Sequence, residues 1–239
     1  GPRHSPFLRA LAWTAAGDGA ARVGMLLVTI AAARALTPDE FGLYLGFSAV
    51  VLIAASLWDC GIGTLVTREV AAGRLVPAAM PRHLVSLRLR TLVLWVVAFV
   101  GGTLVLANSS RISSTAILVY AAVSLVFATH TLALATLRGL LRFRAASLSV
   151  AAGRWTSAAS CALVLQISPS DILSWMAAAL LAGEACTLAL AVALLIWTPF
   201  PPATPASIVR DPTEVLGLRH AAPFAVNGTL VMAYNRMDL

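Results

Sequence analysis

The 239-residue chain is 59% hydrophobic and 11% charged, with a mean hydropathy of +0.87. A water-soluble domain carries roughly a quarter of its residues as charged groups, so most of this exterior faces something other than water; one cleaved leader does not account for apolar stretches that recur down the whole chain. The net charge is +7, every one of the 17 cationic side chains is arginine, and they gather between apolar segments, a pattern of membrane topology and anionic-lipid contact rather than of nucleic-acid binding.

Six segments reach spanning length, roughly 20 residues or more: 11–34, 41–66, 84–107, 114–137, 146–167 and 172–197. The expected fold is all-α, a polytopic transmembrane helix bundle of six spans plus a seventh that begins near residue 220 and is cut at Leu239. With Gly1 in place of an initiator Met, the chain is expected to be a fragment of something longer. The expected domains are a six-helix lobe over 1–197, a cytoplasmic linker over 198–219 with five prolines from Pro199 to Pro212, and the start of a second lobe over 220–239.

Along the first span, Asp18 and Arg22 lie ~10 and ~16 Å from its cytoplasmic end at the helical rise of 1.5 Å per residue. One turn apart, they can pair on one helix face. The turn Thr37-Pro38-Asp39-Glu40 leads into the second span, near whose far end Asp59 sits ~10 Å deep. Standing next to Cys60-Gly61, Asp59 is expected to cap or pin a helix end.

Residues 75–90 alternate apolar and cationic side chains. They either lie along the inner leaflet before the third span or, more simply, Arg88 and Arg90 snorkel from a helix end. His130 on the fourth span is expected to hydrogen-bond to a neighbouring helix. Arg154 lies ~12 Å deep on the fifth span, at a depth close to that of Arg22, and Glu184 falls near the middle of the sixth. In the nominal seventh span Tyr234, Asn235, Arg236 and Asp238 crowd polar groups together, which argues for a cavity-facing or broken helix. Cys60, Cys161 and Cys186 show no metal-ligand spacing and read as small packing residues; no cofactor or metal is expected.

Orientation follows from arginine counting. With the N-terminus in the cytoplasm, the cytoplasmic segments 1–10, 67–90, 138–145 and 198–220 hold twelve arginines against two, Arg34 and Arg111, in the opposite loops. That is a strong positive-inside bias. Six spans return the chain to the cytoplasm, so a second six-helix unit enters in the same sense, as in transporters built from parallel repeats.

Ionisable groups inside a bilayer are costly and seldom idle. Arg22, Arg154, Arg236, Asn235 and Tyr234 read as the lining of a water-accessible cavity for a phosphate or pyrophosphate, because the planar guanidinium fork binds two phosphate oxygens and stays charged when desolvated. Asp18, Glu184, Asp59 and Asp238 are the candidates for ion pairing or for coupling to H+ or Na+. The competing reading makes Asp18–Arg22 and Arg154–Glu184 structural pairs that hold helices in register. No phosphate-binding GxxxxGK[ST] loop, HExxH or GxSxG occurs, and His4, His83, His130 and His220 are scattered, so the chain is not expected to be an enzyme.

The run Arg34-Ala-Leu-Thr-Pro-Asp-Glu-Phe-Gly-Leu-Tyr44 resembles the "R-x-L-(G/T)-P-E/D-E-F/Y-G-x-Y" signature of the polysaccharide flippase family, the Wzx-type O-antigen and teichoic acid exporters. Asp59-Cys-Gly61-Ile, followed by Val66-Thr-Arg68-Glu69, looks like its "D-x-G-hydrophobic … R-E" closure. Leu137-Arg138-Gly139-Leu-Leu-Arg142-Phe143 looks like its fourth-to-fifth helix connection. Pro223 with Tyr234-Asn-Arg236-Met-Asp238 is similar to the start of its seventh helix. The resemblance implies a bacterial cytoplasmic-membrane carrier, in the superfamily that also holds multidrug and toxin extrusion carriers. Two six-helix lobes would alternate access around a central cavity and move undecaprenyl-pyrophosphate-linked oligosaccharide across the membrane for cell-surface polysaccharide synthesis. The implied partners are the polyprenyl-pyrophosphate-linked glycan, membrane lipid, a coupling ion and polysaccharide polymerase machinery, with no nucleic acid. The alternatives are an ion-coupled multidrug or cation antiporter, a membrane-embedded lipid-sugar transferase, and a non-catalytic scaffold.

Overall fold

The computed structural model describes residues 6–73, 81–107, 112–167 and 170–197, together with Ala221 and Phe224. Seven helices are described: α1 (Pro6–Ala35), α2 (Pro38–Asp59), α3 (Ile62–Ala71), α4 (Pro81–Ala107), α5 (Ser114–Gly139), α6 (Phe143–Ile167) and α7 (Ile172–Ile196). All except α3 are long and apolar enough to cross a membrane, so the chain is a multi-pass membrane protein, with six such helices among the described residues. The linker 198–219 and the cluster Tyr234, Asn235, Arg236 and Asp238 lie outside the described residues.

The second span is shorter than its hydropathy suggests. Its apolar run continues to residue 66, but the backbone turns left-handed at Cys60 (φ 46°) and Gly61 (φ 75°), ending α2 at Asp59 and starting the ten-residue α3. Glycine adopts that conformation without a Cβ clash, whereas Cys60 bears some strain there. Asp59 stabilises the restart: its Oδ2 accepts from the Gly63 amide at 3.2 Å. The other end of α2 is fixed by a capping box in the Thr37–Glu40 turn. Glu40 Oε2 accepts from the Thr37 amide at 2.9 Å, Thr37 Oγ1 accepts from the Glu40 amide at 3.4 Å, and Pro38 occupies the first turn, where no amide hydrogen is needed.

Small residues set how closely the spans approach. Gly17, Ala21, Gly24, Val28 and Ala32 form the buried stripe of α1, at the 3-4 spacing of one helix face. Gly17 faces Ser147, and a methyl added at Gly24 would press on the Arg154 backbone at 3.3 Å. Seven residues separate each pair, so α1 and α6 run parallel in register. At the α6–α7 crossing a methyl on Gly153 would sit 2.6 Å from the Gly183 carbonyl oxygen and run into Thr187. Such contacts replace the hydrophobic driving force, which lipid removes.

The α2–α4 pair is tied instead by polar and aromatic groups. Trp58 Nε1 donates to the Arg88 carbonyl at 2.8 Å, and Thr91 Oγ1 donates to the Trp58 carbonyl at 3.0 Å. Helix α5 joins the halves. Its Tyr120 stacks on Phe47 with ring centroids 4.6 Å apart. Its Ser124 accepts from Trp95 Nε1 and donates to the Val51 carbonyl. At one end of the bundle Asp171 Oδ2 accepts from Ser113 and Ser174 at 2.8 and 2.6 Å, joining the starts of α5 and α7. Partial burial works against the Asp171 charge, but the hydrogen bonds from Ser174 and Ser113 outweigh it and hold the carboxyl below its ordinary range.

Candidate functional site

Five helices, α1, α2, α5, α6 and α7, line an open cavity of about 320 Å³. Most of its wall is apolar, with Met25, Leu52 and Phe127 among the lining, and the charged groups on it are Arg22, Arg154 and Glu184. These residues come from α1, α6 and α7; Asp18 and Asp59, which depth counting sets in the same layer, are not among the lining. The register of α1 on α6 is what aligns them: Gly24 packs on the Arg154 backbone, and Arg22 stands two residues earlier on α1.

Arg154 Nη1 lies 2.6 Å from Glu184 Oε1, with side-chain exposures of 23% and 5%. The acid is sealed in the helix interface, whereas the guanidinium edges into the cavity. From α5, His130 brings Nδ1 to 3.0 Å from the other carboxylate oxygen, Oε2, and both side chains are 5% exposed. Close as they are, neither of these two atoms makes a well-angled hydrogen bond. The Phe127 ring meets the His130 ring edge to face at 5.0 Å. Two guanidinium groups, Arg22 and Arg154, against the one carboxylate of Glu184 make the cavity lining favour an anion.

Other predicted residues have different fates. Asp18 is exposed on α1 and forms no ion pair with Arg22, whose side chain reaches the cavity instead. One helical turn of separation permits a pair but does not enforce it. Asp59, besides capping α3, holds Arg88 Nη2 at 2.7 Å. Arg88 therefore does not snorkel, although Arg90 is exposed as expected. Arg88 is 8% exposed, donates to the Ala128 carbonyl at 3.1 Å and lies 5.1 Å from the Trp58 ring centroid. An anionic partner and an aromatic face within reach make burial cheaper than extension to the interface. Residues 75–80 of the alternating stretch lie outside the described residues, and 84–90 belong to α4.

His130, expected to meet a neighbouring helix, meets Glu184 of α7, though it was not read as part of the site. Its signal was positional: nine residues from the end of α5, it sits at nearly the depth of Arg154, eleven residues into α6. A larger hollow of about 650 Å³ between α4, α5 and α7 is almost wholly apolar. Its charged group, Arg88, is already engaged by Asp59, so the smaller cavity is the candidate site. Among the described residues no group of His, Cys, Asp and Glu is placed to hold a metal ion.

The family signature explains itself in this geometry. Thr37, Pro38 and Glu40 start α2, Tyr44 is buried in the core, Asp59 to Gly61 break the helix, and Gly139 lets α3 approach α5, since a methyl there would sit 3.0 Å from the Thr67 carbonyl oxygen. Among known families, the one described as Polysaccharide biosynthesis protein matches residues 7–238. No curated protein and no solved structure matches the chain.

Proposed function

We propose, from the premise that this chain belongs to the Polysaccharide biosynthesis protein family, the Wzx-type flippases, that its cavity receives the pyrophosphate of an undecaprenyl-linked oligosaccharide on its way across the bacterial cytoplasmic membrane. Members of this family are typically transporters rather than enzymes, and the family implies a lipid-linked glycan as substrate. The observation that carries the proposal is the convergence of Arg22 and Arg154, from helices far apart in sequence, on one open cavity.

The physical need is plain. A pyrophosphate crossing hydrocarbon unaided loses its hydration at prohibitive cost, and the guanidinium groups of Arg22 and Arg154 on the cavity wall substitute for water. The excess of cationic over acidic groups in the cavity favours this substrate over the organic cation of a multidrug antiporter. Two lobes alternating access, the first formed by 1–197 and the second begun after the 198–219 linker, would carry the head group through while the polyprenyl tail stays in lipid.

A charge-assisted hydrogen bond contributes about 1.5–3 kcal/mol, so Arg22→Ala or Arg154→Ala should weaken head-group binding roughly 10- to 100-fold. In cells that depend on this protein for surface polysaccharide, each variant at matched protein level should lose translocation of the lipid-linked precursor. Wild-type flipping by both variants would refute the cavity assignment.

A further inference from the structure

Helix α4 packs along α2, and its backbone stands off α5 and α7, leaving between these three the apolar cleft of about 650 Å³. Its walls carry Leu84 and Leu89 from α4, Leu132 from α5, and Leu188, Val192 and Ile196 from α7. Leu84 begins the span of α4, whereas the α5 and α7 residues lie toward the ends of their helices. The cleft therefore occupies the half of the bundle at the α3 end. Val85 and Leu89 on one side of it and Val192 and Ile196 on the other are exposed. Exposed apolar groups within a span meet hydrocarbon, so the mouth opens sideways onto the bilayer.

Three polar side chains on this wall are satisfied within the protein. Thr129 and Thr136 donate to the Leu125 and Leu132 carbonyls at 2.7 and 3.0 Å, and Trp58 Nε1 donates to the Arg88 carbonyl. The fourth is Arg88 itself. Its Nη2 serves Asp59 and the Ala128 carbonyl, while Nη1 is buried with no acceptor. A buried N–H left unpaired is costly and calls for a partner. Asp59 at 2.7 Å already balances the Arg88 charge, so the acceptor that suits Nη1 is a neutral one; a phosphate there would bring an unmatched negative charge into the helix interface. Arg88 stands only four residues into the span that starts at Leu84, about 6 Å from its beginning, close to the boundary between head groups and hydrocarbon.

The chemistry that complements this wall is a hydrocarbon chain with a neutral carbonyl at its head, and the ester-linked acyl chain of a phospholipid has that form. A polyprenyl chain joined to phosphate lacks the carbonyl. We infer that the cleft between α4, α5 and α7 holds one acyl chain of a membrane phospholipid, whose ester carbonyl accepts from Arg88 Nη1. The chain fills the space beside α4 and supports that helix where its protein contacts are few. This lipid site is separate from the anion-favouring cavity: both draw on α2, α5 and α7, but they share no lining residue.

The test is photolabelling of the full chain in nanodiscs of diether phosphatidylcholine, doped with diester phosphatidylglycerol that bears a diazirine on one acyl chain. Irradiation should label the cleft walls on α5 and α7, over 129–136 and 188–196, several-fold above the exposed Val97 on α4. Unlabelled diester phosphatidylglycerol should suppress the cleft labelling. Its diether analogue has the same head group but no carbonyl to accept from a charged donor, so it should compete roughly 10- to 100-fold more weakly. Undecaprenyl phosphate should compete no better than the diether lipid. Ala133→Trp, which fills the cleft, should lose the cleft labelling and keep that at Val97; the competition arms need no variant and stand if Ala133→Trp does not fold. Cleft labelling no stronger than that at Val97 would overturn the inference. Equal suppression by diether and diester lipid would also overturn it, by removing the carbonyl from recognition, and stronger suppression by undecaprenyl phosphate would give the cleft to a prenyl chain instead.

Discussion

Arg88 and Arg154 are both arginines in spans, both paired with a carboxylate, and they differ in what surrounds the pair. Arg88 is enclosed by Asp59, the Ala128 carbonyl and the Trp58 ring, so it serves to lock α4 against α2 and α5. Arg154 keeps about a quarter of its side chain in the cavity and so remains available. Removing one partner of a buried pair strands the other charge, at a cost of about 3–5 kcal/mol, whereas apolar replacement of both is far milder. Asp59→Leu and Arg88→Met should each lower the thermal unfolding midpoint in detergent sharply, and the double variant should recover much of the loss. Equal melting of the singles and the wild type would show that the pair does not hold these helices. Depth counting put Asp18, Arg22, Asp59, Arg154 and Glu184 in one layer because helical rise is constant; Arg22, Arg154 and Glu184 line one cavity, whereas Asp18 and Asp59 do not. It could not reveal that Asp18 and Arg22 part company, because sequence spacing does not say which face of α1 borders a hollow. Nor could it show that Arg88 stays inside, because its partner Asp59 lies on another span.

At the scale of elements, the spans were legible from apolar length, and the start of the second from the turn chemistry at Thr37-Pro38. What escaped hydropathy was the break within 41–66. Apolarity continues through Ile62 and Val66, and the left-handed backbone at Cys60-Gly61 is a property of turn geometry that composition does not report. The glycine contacts were equally silent in the sequence, where Gly19 and Gly153 look alike. In the structure nothing lies within 4 Å of a methyl placed on Gly19, whereas one on Gly153 strikes α7. Gly19→Ala should therefore stabilise α1 by about 0.5–1 kcal/mol. Gly153→Leu should destabilise by about 1–3 kcal/mol, and by spreading α6 from α7 it should also loosen the Arg154–Glu184 contact. Thermal melts of both variants in lipid-like detergent read the two signs. A Gly153→Leu protein as stable as the wild type would mean that the α6–α7 crossing is not close-packed.

Across the whole molecule, one end of the bundle gathers the α1–α2, α4–α5 and α6–α7 connections, and the other gathers α3 with the α5–α6 turn. Arginines follow that division: Arg68, Arg138, Arg142 and Arg144 lie toward the α3 end, and Arg34 lies at the opposite one. From the positive-inside rule we propose that the α3 end faces the cytoplasm. Single cysteines at Ser114 and Ser170 should react with an impermeant maleimide added to intact cells, and one at Arg142 only after the membrane is opened. The reverse pattern would invert the direction in which the cavity is loaded. In that frame the anion-favouring hollow lies within the lobe at the depth shared by Arg22, Arg154 and Glu184. The central claim, that a lipid-linked pyrophosphate occupies this hollow, is tested most directly by placing a photo-crosslinking residue at Met25 in the cavity wall and, as a control, at the exposed Val97 on α4. Irradiation in cells making the precursor should attach polyprenyl-pyrophosphate glycan at position 25, in a manner lost with Arg154→Ala, and not at 97. Equal labelling at the two positions, or labelling at 25 that survives the loss of Arg154, would contradict it.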